Sequence, residues 1–321
     1  MNAQTMALWF ERQGRRVIRT ESSYWHSEGV RALQAFPYHW TIQPEERELR
    51  QLLCDSRAIC LRYSAPVESQ QGSLSYQVIW QGASYGFDDL GKWARKNVRR
   101  GLRNCSVEPI NFERLAREGW VLQQDTLQRQ KRNLRVSPEG WRLRCLVAQA
   151  LPGFEAWGAL VQGRLAGSVI TFQLDDCVYL LYQQCHREFL AAHVNNALSF
   201  VVTQTMARRP GVRSIFYSLQ SLDALASMDE FKFRMGYSAR PVRQRVVFHP
   251  TCAPLVNSAT HLLVRAARAL RPRSPVLAKA EGMIRFYLEG KRPLAEQTGA
   301  APFFSQPGTA PEAEETSHPA G

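Results

Sequence analysis

Alternating apolar and polar positions are clearest in the middle of the chain. EAWGALVQ (155–162), AGSVITFQL (166–174) and CVYLLYQQC (177–185) carry the period of a strand, with only Gly163-Arg164-Leu165 and Asp175-Asp176 between them. Links this short, built from Gly and Asp, predict two successive hairpins. After the loop HREFLAAHVNN the pattern becomes helical from about 197 to 209. Asn195 or Asn196 is placed to cap that helix, and Pro210-Gly211 ends it. A strand (VRSIFYSL), a helix around LASMDEFKFRMG and a last strand (VRQRVVFHP) follow.

Nearer the N-terminus, 16–19 reads as a short strand and 22–36 as a helix. AICLRYS (58–64) and SYQVIWQ (75–81) read as strands on either side of the turn-rich PVESQQGS. Residues 91–104, GKWARKNVRRGLRN, read as a helix and SVEPI as a strand. NFERLAREG, LQQDTLQRQKRN and SPEGWRLRCLVAQAL are helical, the last with Ser137 at the N-cap and Pro138 in its first turn. In 258–274, Leu262, Leu263, Ala266, Ala267 and Leu270 share one side, with Arg265, Arg268, Arg271 and Arg273 largely on the other. That stripe is expected to pack onto its own domain; an interfacial helix on anionic lipid is the alternative. From 293 the chain is rich in Pro, Ala, Gly and Glu and predicts an unordered tail.

The succession is mixed α+β, and 321 residues suit two modest lobes or one large domain. The apolar content excludes a wholly disordered chain. No stretch nears the roughly 18 apolar residues of a spanning helix, and MALWF (6–10) is too short for a signal segment. A cytoplasmic protein is expected, at most peripheral to the inner face of the membrane. Seven cysteines without a CxxC or Cys/His cluster suit a reducing compartment, and no metal is expected.

Charge adds a class of partner. Of 41 basic residues only six are Lys, leaving 41 − 6 = 35 Arg, whose planar fork suits phosphate, although Arg-rich usage also follows from codon composition alone. Residues 293–321 hold four Glu and no Lys or Arg, so residues 1–292 carry 41 − 24 = +17. Lys92, Arg95, Lys96, Arg99, Arg100 and Arg103 fall on one face of the 91–104 helix. Such a face is often simply solvated, but like charges at this spacing repel, and an anionic ligand relieves that cost.

WARKNVRRGLRNC, EAWGALVQGRLAGSVITF, AAHVNNALSFVVTQTM and MDEFKFRMGY followed by RQRVVFHP together resemble the FemAB-type branch of the GNAT-fold N-acyltransferases. That branch contains aminoacyl transferases of peptidoglycan bridges. The match is good over 92–250 and weak over 1–91. It implies a three-layer α/β GNAT fold at 92–250, a degenerate GNAT-like lobe at 1–91, then basic helices at 251–292 and the tail. It also implies a donor held between two strands, its phosphates at the start of the next helix, here Ala192, His193, Val194, Asn195 and Asn196. The glycine-rich pyrophosphate loop usual in this fold is absent from AAHVNN.

The resemblance places Lys232, of the FK element, close to the transfer site, with Glu230 beside it as a base; MDEFKFRMG equally fits an amphipathic helix with its charges outside. His193 and His186 flank the donor loop as further bases, or are merely exposed. Tyr217 is a general acid or a core aromatic. Direct attack is usual in this fold, and Cys185 receives no covalent role. The first functional reading is transfer of an acyl group from acyl-CoA, bound as a substrate and not as a tight cofactor, to an amine of a sugar, peptide or small molecule. The alternatives are an aminoacyl-tRNA donor acting on cell-wall precursors, or a non-catalytic polyanion-binding scaffold. Arg95, Lys96, Arg99, Arg100 and Arg103 are the polyanion contacts, and no specific DNA binding is expected.

Overall fold

The computed structural model describes residues 1–29, 31–130, 137–222, 227–272 and 274–297. Among these residues eleven strands form one sheet: β1 (Val17–Arg19), β2 (Tyr24–Ser27), β3 (Ala32–Phe36), β4 (Cys60–Ala65), β5 (Ser73–Gln81), β6 (Ser106–Ile110), β7 (Phe154–Val161), β8 (Arg164–Leu174), β9 (Cys177–Cys185), β10 (Ser214–Leu219) and β11 (Ser238–Phe248). Their order is β1-β2-β3-β4-β11-β5-β10-β9-β8-β7-β6. All neighbours are antiparallel except β3 with β4 and β9 with β10. β5 lies between β10 and β11 although it precedes residue 91. The two halves of the chain therefore share a sheet that runs unbroken across the expected boundary.

Helices cover both faces, and strands such as β4 and β8 are accordingly buried along nearly their whole length. On one face lie α3 (Lys92–Asn104), α6 (Val194–Ala207) and α7 (Ser227–Arg234). There Val98, Leu198, Val202 and Met235 bury Val78, Val169 and Val178. On the other, α1 (Ala3–Glu11), α4 (Phe112–Arg129) and α5 (Pro138–Gln149) place Trp9, Leu115 and Trp141 over Phe172, Tyr179 and Phe216. The N-terminal strands repeat this on a smaller scale. Leu61 of β4 faces Leu49 and Leu53 of α2 (Glu46–Ser56), while Cys60 beside it joins Met283 and Phe286 of α9 (Pro275–Glu289).

Several expectations change. Residues 22–36 are the β2–β3 hairpin and not a helix, turned through Gly29 and Arg31 at φ of 82° and 51°; each strand is too short for its period of two to stand out. The β7–β8 turn falls on Gln162-Gly163, both at positive φ, one residue before the expected link. NFERLAREG and LQQDTLQRQ run together as α4, and Gly119 inside it leaves room for Trp141: a Cβ there would meet that ring at 3.1 Å. Ser137 caps α5 as expected, accepting from the Gly140 N–H. Helices α1 and α2 had no sequence expectation of their own, while α9 falls within the basic helices expected at 251–292. Within the segment expected to be an unordered tail, Leu294–Glu296 is a single 3-10 turn, and buried Gln297 accepts from the Leu74 N–H at 2.7 Å. Residues 298–321, with Lys131, Arg132 and Arg273, lie outside the described residues.

The apolar stripe of α8 (Ser258–Leu270) does not pack inward. Its polar side does: His261 and Arg268 meet the buried carboxylate of Glu281 on α9 at 3.0 and 2.8 Å. Leu262, Leu263 and Leu270 are 65, 70 and 85% exposed. A buried carboxylate on α9 demands partners, and the polar side of α8 supplies two of them beside Arg285 of α9.

Among the described residues no helix is long and apolar enough to cross a membrane. His26, fully buried, stacks on Phe10 with ring centroids 4.3 Å apart and lies 2.8 Å from the Tyr38 hydroxyl. Burial, then the Arg15 charge, lowers its pKa to about 4. Folding thus favours neutral His26: the stability is whole above pH 6.5 and is lost as pH falls towards 4. Lowering the pH from 7 to 4.5 should remove about 2–3 kcal/mol through this group. Urea denaturation at the two pH values checks this, and His26→Gln should show a visibly smaller drop.

Candidate functional site

The parallel pair β9–β10 comes apart part-way along. Its ladder covers Ser214↔Cys177, Ile215↔Val178 and Phe216↔Tyr179, and both strands run on beyond it unpaired with each other. Two irregularities accompany the separation. The β8–β9 register shifts between Ser168 and Ile170, where Tyr182 adopts φ of 52°, and the β10–β5 register shifts around Tyr217. A bulge bends its strand and re-aims side chains, and left-handed backbone at a tyrosine is strained. Tyr182 is held there from the opposite face, where the Arg144 guanidinium lies 4.2 Å from its ring centroid and Trp9 and Trp141 pack edge-on.

Side chains bridge the opening. The Tyr217 hydroxyl donates to Gln183 Oε1 at 2.8 Å, and Gln183 Nε2 donates to Asn195 Oδ1 at 2.7 Å. The chain of contacts thus runs from β10 through β9 to the first turn of α6. Burial raises the pKa of Tyr217, keeping it a neutral phenol with a proton to give. Lys232 Nζ sits 5.0 Å from the centroid of the same ring. It donates to Ser218 Oγ at 2.7 Å and to Asp229 Oδ1 at 2.6 Å, and Asp229 Oδ2 accepts from the Tyr76 hydroxyl at 2.8 Å. The side chains of Lys232 and Asp229 are only 12 and 9% exposed. A positive charge is therefore fixed, from below and behind, beside the opened end of β10.

The sequence-derived candidates divide. Lys232 and Tyr217 meet at the opening. Glu230 does not: it is exposed and pairs with Arg234 at 2.9 Å, and its neighbour Asp229 turns inward in its place. The i, i+3 spacing of Asp229 and Lys232 on one helix face was the signal for that pair. Tyr76, Ser218 and Gln183 come from separate strands, and no local pattern links them. His186 accepts from the Glu188 N–H and caps a 3-10 turn, beside the Asp125–Arg187 ion pair.

α6 starts at Val194, three residues earlier than expected, and its N-cap is His193 in left-handed conformation at φ of 57°, making no side-chain cap. Asn195 and Asn196 lie inside the first turn and cap nothing; Asn195 accepts from Gln183, and Asn196 Nδ2 reaches Met235 Sδ at 3.7 Å. The basic helix packs directly against this start. A Cβ at Gly101 of α3 would lie 2.5 Å from the His193 carbonyl oxygen, and Asn104 Nδ2 donates to the Ala192 carbonyl. Only glycine allows that approach, which packs the Gly101–Asn104 turn of α3 against residues 192–197. Lys92, Lys96, Arg99, Arg100 and Arg103 are exposed, Arg95 is half-buried, and among the described residues none of the six pairs with a carboxylate. Trp93 is 68% exposed on the same helix, with Lys96 Nζ 5.7 Å from its ring.

No family model and no curated protein matches the sequence. Solved structures do match the fold. FemX aligns with a TM-score of 0.53 at 10% identity, covering 78% of this chain and 92% of that one. A DUF2156 C-terminal domain assigned to a lysylphosphatidylglycerol synthetase from Agrobacterium fabrum aligns with a TM-score of 0.52 at 10% identity, covering 80% and 92%. At this identity the likeness carries the fold and not a substrate. With a parallel strand pair that opens beside a helix start, and two lobes on one sheet, this chain has the GNAT fold, in an arrangement similar to that of FemX.

Proposed function

We propose that this protein is an N-acyltransferase in which the donor's acyl carbonyl enters the β9–β10 opening and an amine attacks it directly. The observation that carries the reading is Lys232, held by Asp229 and Ser218 at the mouth of that opening. Attack of the amine nitrogen on the carbonyl carbon puts negative charge on the carbonyl oxygen, and a fixed, poorly hydrated ammonium stabilises it. The bond to the donor's leaving sulfur or oxygen then breaks, Tyr217 gives the leaving atom its proton, the attacking nitrogen releases one proton to water as the amide forms, and Tyr217 regains its own from water. Asp229 acts as a positioning residue: it fixes the Lys232 amine and faces no open site of its own.

The donor's phosphates would lie along residues 192–196 and the α3 cations. Acyl-CoA is the first candidate. One observation favours an aminoacyl ester on tRNA instead: α3 exposes cations over its full 13 residues, about 20 Å, together with Trp93. That is more than one pyrophosphate requires, and an exposed aromatic beside cations suits an unpaired base.

Titration with a panel of acyl-CoAs and with aminoacyl-tRNA, at moderate salt, tests both donors. We expect saturable binding of one donor class, and the triple reversal Arg99→Glu, Arg100→Glu, Arg103→Glu should weaken it by at least about tenfold and flatten its salt dependence. Binding of neither class would overturn the transferase reading.

A further inference from the structure

We propose that α8 is a membrane-surface anchor, laying its leucine face into an anionic lipid leaflet. The helix is mounted inside-out. Its polar groups His261 and Arg268 are consumed inward by Glu281, which also has Arg285 at 3.5 Å. The outward face carries Leu262, Leu263 and Leu270 with Ala259, Ala266 and Ala269 between them. Leu255 before the helix and Val276 after it are also exposed, at 69 and 54%, so the apolar surface extends past both ends. Isolated exposed leucines need no explanation, but a contiguous stripe of them does.

Charge selects the occupant. Arg265 borders the stripe and Arg271 follows it; both are exposed, and neither pairs with a carboxylate among the described residues. A convex apolar ridge flanked by cations is the shape and charge of a helix that lies in the headgroup region, with leucines among the upper acyl carbons and Arg at the phosphates. The remaining chain charge, +13 overall, acts in the same direction. The hairpin of α8 and α9 also adjoins the catalytic lobe. Gly282 of α9 packs so closely on Leu222 that a Cβ there would meet its carbonyl oxygen at 2.7 Å, and Arg285 donates to the same carbonyl. Residue 222 lies on the link from β10 to α7, between Ser218 and Lys232, so anchoring α8 would hold the proposed transfer site close to the lipid surface.

Flotation with vesicles of phosphatidylglycerol and phosphatidylcholine in equal parts, against phosphatidylcholine alone, at physiological ionic strength, tests this. The protein should float with the anionic vesicles and much less with the neutral ones. Leu262→Gln with Leu263→Gln should weaken binding by at least about tenfold, and Arg265→Gln should weaken it less and reduce its sensitivity to salt. All three positions are exposed, so the thermal melt should not change. Lys232→Met should float as the parent does, which separates failure of the anchor from failure of the transferase reading. Three results would overturn the anchor: no flotation with anionic vesicles; flotation undiminished in the double leucine variant, which would mean general charge alone; or a solution dimer that the double variant dissolves, which would mean that a second copy covers the face.

Discussion

Lys232→Met should lower the rate of acyl transfer by about 10²–10³-fold while leaving donor affinity nearly unchanged. The magnitude is that of removing one preorganised donor to a developing oxyanion. Methionine keeps an unbranched side chain of similar length but removes the charge and its hydrogen bonds to Asp229 and Ser218, so the variant should also be less stable and its kinetics are read under conditions where it stays folded. In the proposed arrangement the donor's phosphates lie along residues 192–196 and α3, on elements other than the one that carries this amine, so ground-state binding should hold while kcat falls. Single-turnover kinetics with whichever donor binds separates the two quantities. A variant that loses affinity and keeps its rate would make Lys232 a phosphate contact, and a variant that loses neither would leave it purely structural. Tyr217→Phe tests the other proton carrier: it removes the hydroxyl that reaches Gln183 yet preserves the ring under Lys232, so a smaller loss of rate is expected.

The middle of the chain was legible because its information is local. The strands β7 to β9, the turns between them and the basic face of α3 follow from period and turn chemistry within a dozen residues. The 22–36 segment was misread because two short strands interrupted by Gly29 mimic an uneven helical pattern, and pairing with β4 on one side decides the matter. The site was half legible for the same reason. Lys232 and Tyr217 lie in segments whose pattern was plain, but the choice between Asp229 and Glu230 depends on how α7 is rotated over β5 and β10. That rotation is set by Tyr76, far away in sequence, whose hydroxyl needs an acceptor once buried. The outward face of α8 was misjudged because amphipathic period shows that a helix has two sides and not which side meets the protein. Buried Glu281 settles it here, and its burial depends on the fold.

Asp229→Ala should destabilise the protein by about 3–5 kcal/mol, more than most single substitutions in this chain. Removing one partner of a buried ion pair weakens the compensation of the other charge in a poorly hydrated place, even though Ser218 and further contacts still hold Lys232. Here the change also leaves the Tyr76 hydroxyl, itself buried, without its acceptor. The cost should not be the worth of the pair, because most of it is the penalty on the group left behind. The double variant Lys232→Met with Asp229→Leu should therefore recover much of the loss, with Tyr76 alone still lacking its acceptor; adding Tyr76→Phe should recover more. Urea midpoints for the three variants decide the matter. A loss under about 1 kcal/mol for Asp229→Ala would place the pair in water, and Lys232 would then lack the rigidity that its role at the β9–β10 opening requires. A large loss that the double variant rescues would mean that the fold bears a sizeable cost to keep one ammonium fixed beside that opening, which a surface helix with no chemistry to perform would have no reason to retain.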